Sequence, residues 1–247
     1  MKVLEVDVGN TFLKWRIHSA GRIEPVNRTL TDQILQQQFE IPAVWQTVEL
    51  IRAVNVAGTA VEQWLSEFAR QQQTPLHWAV VAHSYRDLKN AYTDPRKMGA
   101  DRWVAMLAGW CEYRSGLCVI DAGSAVTVDW VDASGQHQGG YILPGLALLK
   151  KSLLGQTAQV KWQISDDADS LAPGRSTAEC VEQGALYQIA SLMKQVLVDS
   201  EARQTEHILL TGGDAPKIQQ WIEKAEYRPS LVLDGLAYIE DTKLSEG

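Results

Sequence analysis

Short apolar runs rich in β-branched residues alternate with polar positions from the first residues onward. The pattern predicts strands over Val3–Asp7, Phe12–His18 and Arg22–Leu30. A helical stretch, a strand over Ile51–Val56, a helix near Val61–Gln72 and a strand over Trp78–Ala82 follow. Beyond Gly99, Trp103, Met106, Leu107, Trp110 and Cys111 recur at helical spacing and predict a long helix. The order then begins again. Strands are expected over Leu117–Asp121, Val126–Val131 and Gln138–Leu143, a helix over Gly145–Leu154 and a long helix around Thr177–Leu197. A strand over Ile208–Thr211, a helix from Pro216 and a short strand over Leu231–Leu233 complete the pattern. Two α/β halves with one plan, 1–115 and 116–247, are therefore expected. Gln159–Ser176, around Pro173-Gly174, reads as a long surface connection.

The duplication carries candidate chemistry with it. Val3-Leu4-Glu5-Val6-Asp7-Val8-Gly9-Asn10-Thr11 and Leu117-Cys118-Val119-Ile120-Asp121-Ala122-Gly123-Ser124-Ala125 each place an Asp near the end of an apolar run. A Gly stands two residues on, and a second strand pattern follows. Glycine adopts backbone angles closed to other residues, and a tight turn aims consecutive N–H groups at one point where an anion can sit. A single Asp-x-Gly turn is usually a plain hairpin, and a single strand-end Asp usually caps its own turn. Recurrence in both halves favours a phosphate clamp in which Asp7 and Asp121 hold a cation through hard carboxylate oxygens. Lys14, in the strand after the first turn, reads equally as a phosphate-reaching cation and as a solvated strand residue.

Two further clusters stand at predicted helix starts. Thr211-Gly212-Gly213-Asp214-Ala215 follows the apolar run Ile208-Leu209-Leu210, and its paired glycines let a nucleobase or ribose lie against the backbone near free helix N–H groups. Taken alone it is also an ordinary capped helix start. Met98-Gly99-Ala100-Asp101-Arg102-Trp103 opens the long helix, where an acidic residue complements the helix dipole whatever else it does. A phosphoryl acceptor needs a carboxylate to orient its hydroxyl and take its proton, and an adjacent Arg can fork onto a substrate carboxylate. Tyr92 either hydrogen-bonds the same substrate or packs in its loop. His18, His77, His83, His137 and His207 have no metal spacing and read as packing or surface residues.

Bulk properties narrow the classes. With 45% hydrophobic and 21% charged residues, and no apolar stretch of about 20 residues, the composition is that of a globular protein without a membrane span. The chain enters a strand without a secretory signal, so the cytoplasm is the expected location. Cys111, Cys118 and Cys180 lack disulfide or zinc spacing and read as reduced, mostly buried thiols. A net charge of −7 disfavours nucleic acid as a partner.

Asp-x-Gly-Asn-Thr at the start, Gly-x-Asp-Arg-Trp near residue 100, Asp-x-Gly-Ser-Ala-x-Thr at mid-chain, Gly-Gly-Tyr-Ile-x-Pro-Gly and Thr-Gly-Gly-Asp-Ala together resemble the type III pantothenate kinases, from about Val3 to Leu236. The resemblance implies a duplicated ribonuclease H-like, actin-like ATPase fold, with two mixed-sheet halves around a nucleotide cleft. It implies transfer of the ATP γ-phosphoryl group to pantothenate, giving 4′-phosphopantothenate, the first step toward coenzyme A. By similarity, Asp101 is the general base, and Gly99, Ala100, Asp101 and Arg102 hold pantothenate with Tyr92. Asp7, Val8, Gly9, Asn10, Thr11, Phe12, Leu13 and Lys14 form the first phosphate loop, with Asp7 near magnesium-bound phosphates. Asp121 matches the site of a monovalent cation, potassium or ammonium, and Gly212 and Gly213 belong to the ATP site. Ser124 stands where the family usually has Thr, keeping the hydroxyl. Family members are homodimers, and Thr177 matches a residue that reaches into the neighbour's pantothenate pocket.

Two other readings stay in play. A kinase for another small hydroxy acid shares the fold, and a panel of acceptors separates the two. A nucleotide-binding regulator related to the Bvg accessory factor keeps phosphate loops without turnover, against which stand Asp101 and both loop aspartates.

Overall fold

The opening apolar run is a strand whose side chains pack on both faces. In the computed structural model, which describes residues 1–154 and 170–239, β1 (Lys2–Val8) is buried from Val3 onward. It forms an antiparallel hairpin with β2 (Phe12–Ser19), closing at the pair Val8 and Leu13. β3 (Arg22–Ile23) and β4 (Asn27–Leu30) both pair with β2. The single strand expected over Arg22–Leu30 is thus two, divided around Pro25, which has no N–H to give to a ladder. After α1 (Thr31–Leu35), β5 (Leu50–Asn55) runs parallel to β1. Beyond α2 (Thr59–Gln72), β6 (Leu76–Trp78) runs parallel to β5. This last strand lies earlier than the expected Trp78–Ala82, because its register sets Leu76, His77 and Trp78 against Ile51, Arg52 and Ala53. The sheet order is β3-β2-β1-β5-β6, and Leu4, Val6, Leu13 and Ile17 pack there with Trp45, Leu65 and Phe68.

A hairpin that the residue pattern does not show, β7 (Ser84–Tyr85) with β8 (Leu88–Lys89), leads toward α3 (Ala100–Tyr113). Asp87 at its turn accepts from the Trp110 indole N–H at 2.9 Å and pairs with Arg114, so the hairpin is pinned to α3.

The second half repeats the plan. β9 (Leu117–Ala122) and β10 (Ala125–Val131) form the antiparallel hairpin, and β11 (His137–Pro144) lies on the outer side of β10. After α4 (Leu146–Leu154) and α5 (Thr177–Ala202), β12 (His207–Thr211) pairs parallel to β9. α6 (Ala215–Ile218) leads to β13 (Glu226–Tyr227), parallel to β12. The order β11-β10-β9-β12-β13 matches the first sheet's sequence of one antiparallel hairpin followed by two parallel neighbours. Cys118, Ile120, Val128 and Trp130 pack against Leu186, Ile189 and Met193 of α5.

The chain forms two compact units. One comprises Met1–Arg114, Ser134–His137 and the chain from Ser230; the other comprises Ser115–Ala133 and Gln138–Pro229. The strand expected at Leu231–Leu233 is instead the start of α7 (Leu231–Gly235), in the first unit. Three apolar residues do not separate strand from helix. Here helical packing wins, because Gly235 beds on α3 so closely that a Cβ would lie 2.0 Å from the Val104 carbonyl oxygen. Arg16 ties the same helix to the sheet: its Nε donates to Glu5 Oε2 at 2.6 Å and its Nη1 to Asp234 Oδ1 at 2.7 Å. Of the cysteines, Cys118 is buried and Cys111 half-buried, but Cys180 is exposed on α5, so the expectation of mostly buried thiols fails there. Residues 159–169 of the connection expected over Gln159–Ser176 lie outside the described residues. Among the described residues no helix is long and apolar enough to cross a membrane.

Candidate active site

The first Asp-x-Gly turn sits at the end of the β1–β2 hairpin. Asp7 and Lys14 are cross-strand partners, and Lys14 Nζ lies 4.0 Å from Asp7 Oδ2. Gly9 N–H donates to Phe12 O at 3.0 Å, and a Cβ on Gly9 would stand 3.1 Å from that oxygen. Buried Thr31 of α1 holds the turn from behind: its hydroxyl donates to Gly9 O at 2.7 Å and its N–H to Thr11 O at 3.0 Å. Across a trans peptide the N–H points opposite the C=O. Committing the Gly9 carbonyl to Thr31 therefore turns the Asn10 N–H the other way, and Asn10 and Thr11 are exposed. Such a turn keeps repulsive carbonyl oxygens away from a phosphate while presenting amide hydrogen.

The second turn is one residue shorter, closing at Ala122 and Val126 with Gly123 N–H donating to Ala125 O at 3.0 Å. Two backbone segments, at Gly145 and at Gly212 to Asp214, converge on it. Gly145 N–H donates to Ser124 O at 3.0 Å, and a Cβ on Gly145 would lie 2.2 Å from Gly123 O. Asp214 N–H donates to Ala122 O at 2.8 Å. Gly212 has φ +98°, and a Cβ there would lie 2.3 Å from Ala122 O and 2.5 Å from Asp121 Oδ1. Only glycine fits this cradle. Asp121 is half-buried and Ser124 exposed. Asp121 Oδ1 and the Ala122 carbonyl oxygen thus face the Gly212 backbone together, hard oxygens of the kind that hold a hard cation. Among the described residues no group of three or more His, Cys, Asp and Glu is placed to hold a metal ion. A magnesium ion bound through one carboxylate and substrate phosphates needs no such group.

The third cluster opens α3 in the first unit. Asp101 Oδ1 accepts from Arg102 N–H at 2.8 Å, and Gly99 leaves room for it, since a Cβ there would lie 2.7 Å from Oδ1. Arg102 is buried, 5% exposed, and its Nη1 donates to the Tyr92 hydroxyl at 3.0 Å. The sequence therefore singled out three residues, Tyr92, Asp101 and Arg102, that the structure brings together. A half-buried carboxylate beside a guanidinium with a fixed fork offers a proton acceptor next to an anchor for a carboxylate. The intervening loop is shaped by Asp94, whose carboxyl is held below its ordinary range by hydrogen bonds from Arg96. Thr177, the first residue of α5, is exposed in the second unit, after Ser176, whose hydroxyl caps the helix by accepting from Glu179 N–H at 3.2 Å.

Two residues that sequence reasoning passed over contact these clusters. Thr31 carried no motif of its own, and only its place just after β4 hinted at contact with the turn. His137 was set aside with the other histidines, yet its ring lies parallel to Tyr92, 8° apart with centroids at 6.3 Å.

Known proteins resemble this chain in sequence and in fold. The family model for type III pantothenate kinase matches residues 3–199. The chain is 37% identical over 238 residues to the type III pantothenate kinase of Marinobacter nauticus, covering 96% of this chain and 97% of the relative. It is 38% identical over 242 residues to the type III pantothenate kinase of Hahella chejuensis, covering 97% of each. Two solved structures share the fold at low identity. A Campylobacter jejuni protein described as a Baf family transcriptional activator superposes with a TM-score of 0.59, at 22% identity over 98% of both chains. A ROK family protein of Streptococcus pneumoniae, solved with sucrose, superposes with a TM-score of 0.50, at 12% identity over 99% of this chain and 100% of that one. The two like-ordered sheets are those of the duplicated ribonuclease H-like, actin-like ATPase fold. Matched by the family model from β1 into α5, and by relatives of that name along nearly its whole length, the chain belongs to the type III pantothenate kinase family.

Proposed function

We propose that the protein transfers the γ-phosphoryl group of ATP to the primary hydroxyl of pantothenate, giving 4′-phosphopantothenate, the first step toward coenzyme A. The observation that carries this reading is the cluster of Asp101, Arg102 and Tyr92 at the start of α3, which joins a carboxylate base to a carboxylate-binding guanidinium. Arg102, with Tyr92 fixing its fork, takes the carboxylate end of pantothenate; Gly99 and Ala100 line the approach to Asp101. Asp101 takes the proton from the acceptor hydroxyl as its oxygen bonds to the γ-phosphorus. The bond from that phosphorus to the bridging oxygen breaks, and ADP leaves.

The turn from Asp7 to Lys14 cradles the ATP phosphates, with Asp7 near magnesium and Lys14 facing the phosphates. Magnesium, when bound with ATP, offsets charge on the phosphate oxygens. Gly212 and Gly213 lie against the nucleotide, the Ser124 hydroxyl bonds the phosphate side, and Asp121 holds a monovalent cation. The oxygen-lined cradle at Gly212 supports that last role. The functional form is a homodimer in which Thr177 completes the pantothenate pocket of its neighbour. Exposed Ile142, Leu148, Leu153 and Tyr187 in the second unit support the dimer, as apolar surface that a second copy would cover. The protein acts in the cytoplasm.

The test is ADP release with magnesium-ATP and pantothenate, with potassium or sodium as the sole monovalent cation and Asp101→Asn beside the wild type. Turnover that requires pantothenate and potassium, and that falls on the order of 100-fold or more in the variant, is expected. Turnover with a different hydroxy acid alone would move the substrate, and near-normal turnover in Asp101→Asn would overturn the base.

A further inference from the structure

We infer that His137 is a positioning residue for the acceptor: it sets the Tyr92 ring, and through it the Arg102 guanidinium, toward the carboxylate end of the substrate. The inference rests on the pantothenate reading of the Tyr92–Arg102 pair. His137 is only 1% exposed, and a polar ring so buried is held by specific partners. Its Nδ1 accepts from the Ala91 N–H at 3.3 Å, and its plane lies parallel to the next residue's ring, that of Tyr92. One side chain thus grips both the backbone and the ring of the loop that carries the substrate-facing hydroxyl.

The fold delivers His137 to this place by a dedicated short pairing. Ser134–His137 belong to the first unit, although the rest of β11 belongs to the second. Gly135 has φ +84°, and a Cβ there would lie 2.4 Å from Asp87 O and 2.8 Å from the Trp110 ring, so the segment presses onto the β7–β8 turn as closely as glycine permits. Lys89 N–H donates to Gly135 O at 2.8 Å, and Lys89 bridges Gln136 in parallel fashion. Two residues beyond Lys89, Ala91 then meets the side chain of His137, the residue after Gln136. Asn90 secures the loop's other side: its Oδ1 accepts from Tyr92 N–H at 2.9 Å, and its Nδ2 donates to Ala82 O at 3.2 Å. Backbone anchors hold Tyr92 in place, and the parallel imidazole sets the direction of its ring.

That direction matters because of what the hydroxyl touches. Tyr92 Oη accepts from Arg102 Nη1 at 3.0 Å, and the Arg102 guanidinium carbon lies 5.9 Å from the Tyr92 ring centre. A guanidinium binds a carboxylate through two parallel N–H groups only when its plane is correctly turned. A displacement of about 1 Å at a substrate-positioning group is enough to lose much of the rate. The contacts of His137 with Ala91 and Tyr92 lie on the acceptor side, so its removal should weaken the acceptor and spare ATP.

Steady-state kinetics on the full-length protein test this with His137→Ala and His137→Phe, the second keeping a ring to lie against Tyr92. His137→Ala is expected to raise the pantothenate KM on the order of tenfold with the ATP KM within about twofold. His137→Phe should recover part of that loss. Equal changes in both KM values, or an unchanged pantothenate KM beside a lowered melting temperature, would make His137 a merely structural residue. Hydrogen exchange at the Ala91 and Tyr92 amides, read without substrate, is expected to quicken in His137→Ala. If the wild type fails to turn over pantothenate, the functional reading falls, and unchanged exchange would separately overturn the hold of His137 on Tyr92.

Discussion

Gly99 governs the placement of a carboxylate without having a side chain of its own. A methyl group there would stand 2.7 Å from Asp101 Oδ1, the atom that accepts the Arg102 N–H. The Asp side chain is too short to step aside and keep that bond. The backbone angles of Gly99, φ −59° and ψ 128°, suit any residue, so alanine brings no backbone strain. Gly99→Ala should therefore lower kcat on the order of 10- to 100-fold while moving the melting temperature little. A kcat within twofold of wild type would show that the carboxylate tolerates the displacement. At this scale the sequence was most legible where a turn or helix start is written in consecutive residues: Asp7 to Gly9, Gly99 to Arg102, Asp121 to Ser124. It was least legible where a residue acts across the chain. His137 meets Ala91 from 46 positions away and Thr31 meets Gly9 from 22, and neither has a local pattern that marks the contact.

At the scale of elements, the β7–β8 hairpin shows how a very short piece of chain is held in place beside α3. Its four strand residues have no alternation to detect, and it holds because Asp87 is fixed to α3 by Trp110 and Arg114. The Trp110 indole N–H, first, and then the Arg114 guanidinium hold the Asp87 carboxyl below its ordinary value of 3.8. A carboxyl depressed by folding stabilises the folded state fully above the unfolded value and loses that contribution as pH falls through the folded one. Asp87→Asn, which cannot ionise, should then melt below wild type between pH 5 and about 7, with the gap closing as the pH falls below the ordinary carboxyl value. Melting curves at several pH values check this; a gap constant across the range would mean that the charge does nothing. Longer elements needed no such help. The spacing of Trp103 to Cys111 marked α3 and the β-branched runs marked β1 and β9. Leu231–Leu233 misled because three apolar residues fit either state, and only Gly235 bedding on Val104 decides for a helix.

At the scale of the whole molecule, the repeated hairpin-plus-parallel-strands plan was visible as two copies of one motif, because each turn needs its own glycine and each central strand its own apolar run. The proposed assembly is different in kind: a contact between copies would leave no periodicity, only exposed apolar residues, of which Ile142 and Tyr187 are 64% and 62% exposed. A shared pocket makes a sharp prediction nonetheless. In a two-fold dimer each site would take Asp101 from one copy and Thr177 from the other, so Asp101→Asn and Thr177→Val each spoil both sites of their own homodimer. Mixing the two variants and letting subunits exchange produces heterodimers with one site carrying both substitutions and one carrying neither. With random exchange half the dimers are mixed, and activity should return to about a quarter of wild type. If Thr177 instead served the pocket of its own chain, every site in the mixture would lack one of the two groups. Activity would then stay at the level of the separate variants, and the shared pocket would be excluded.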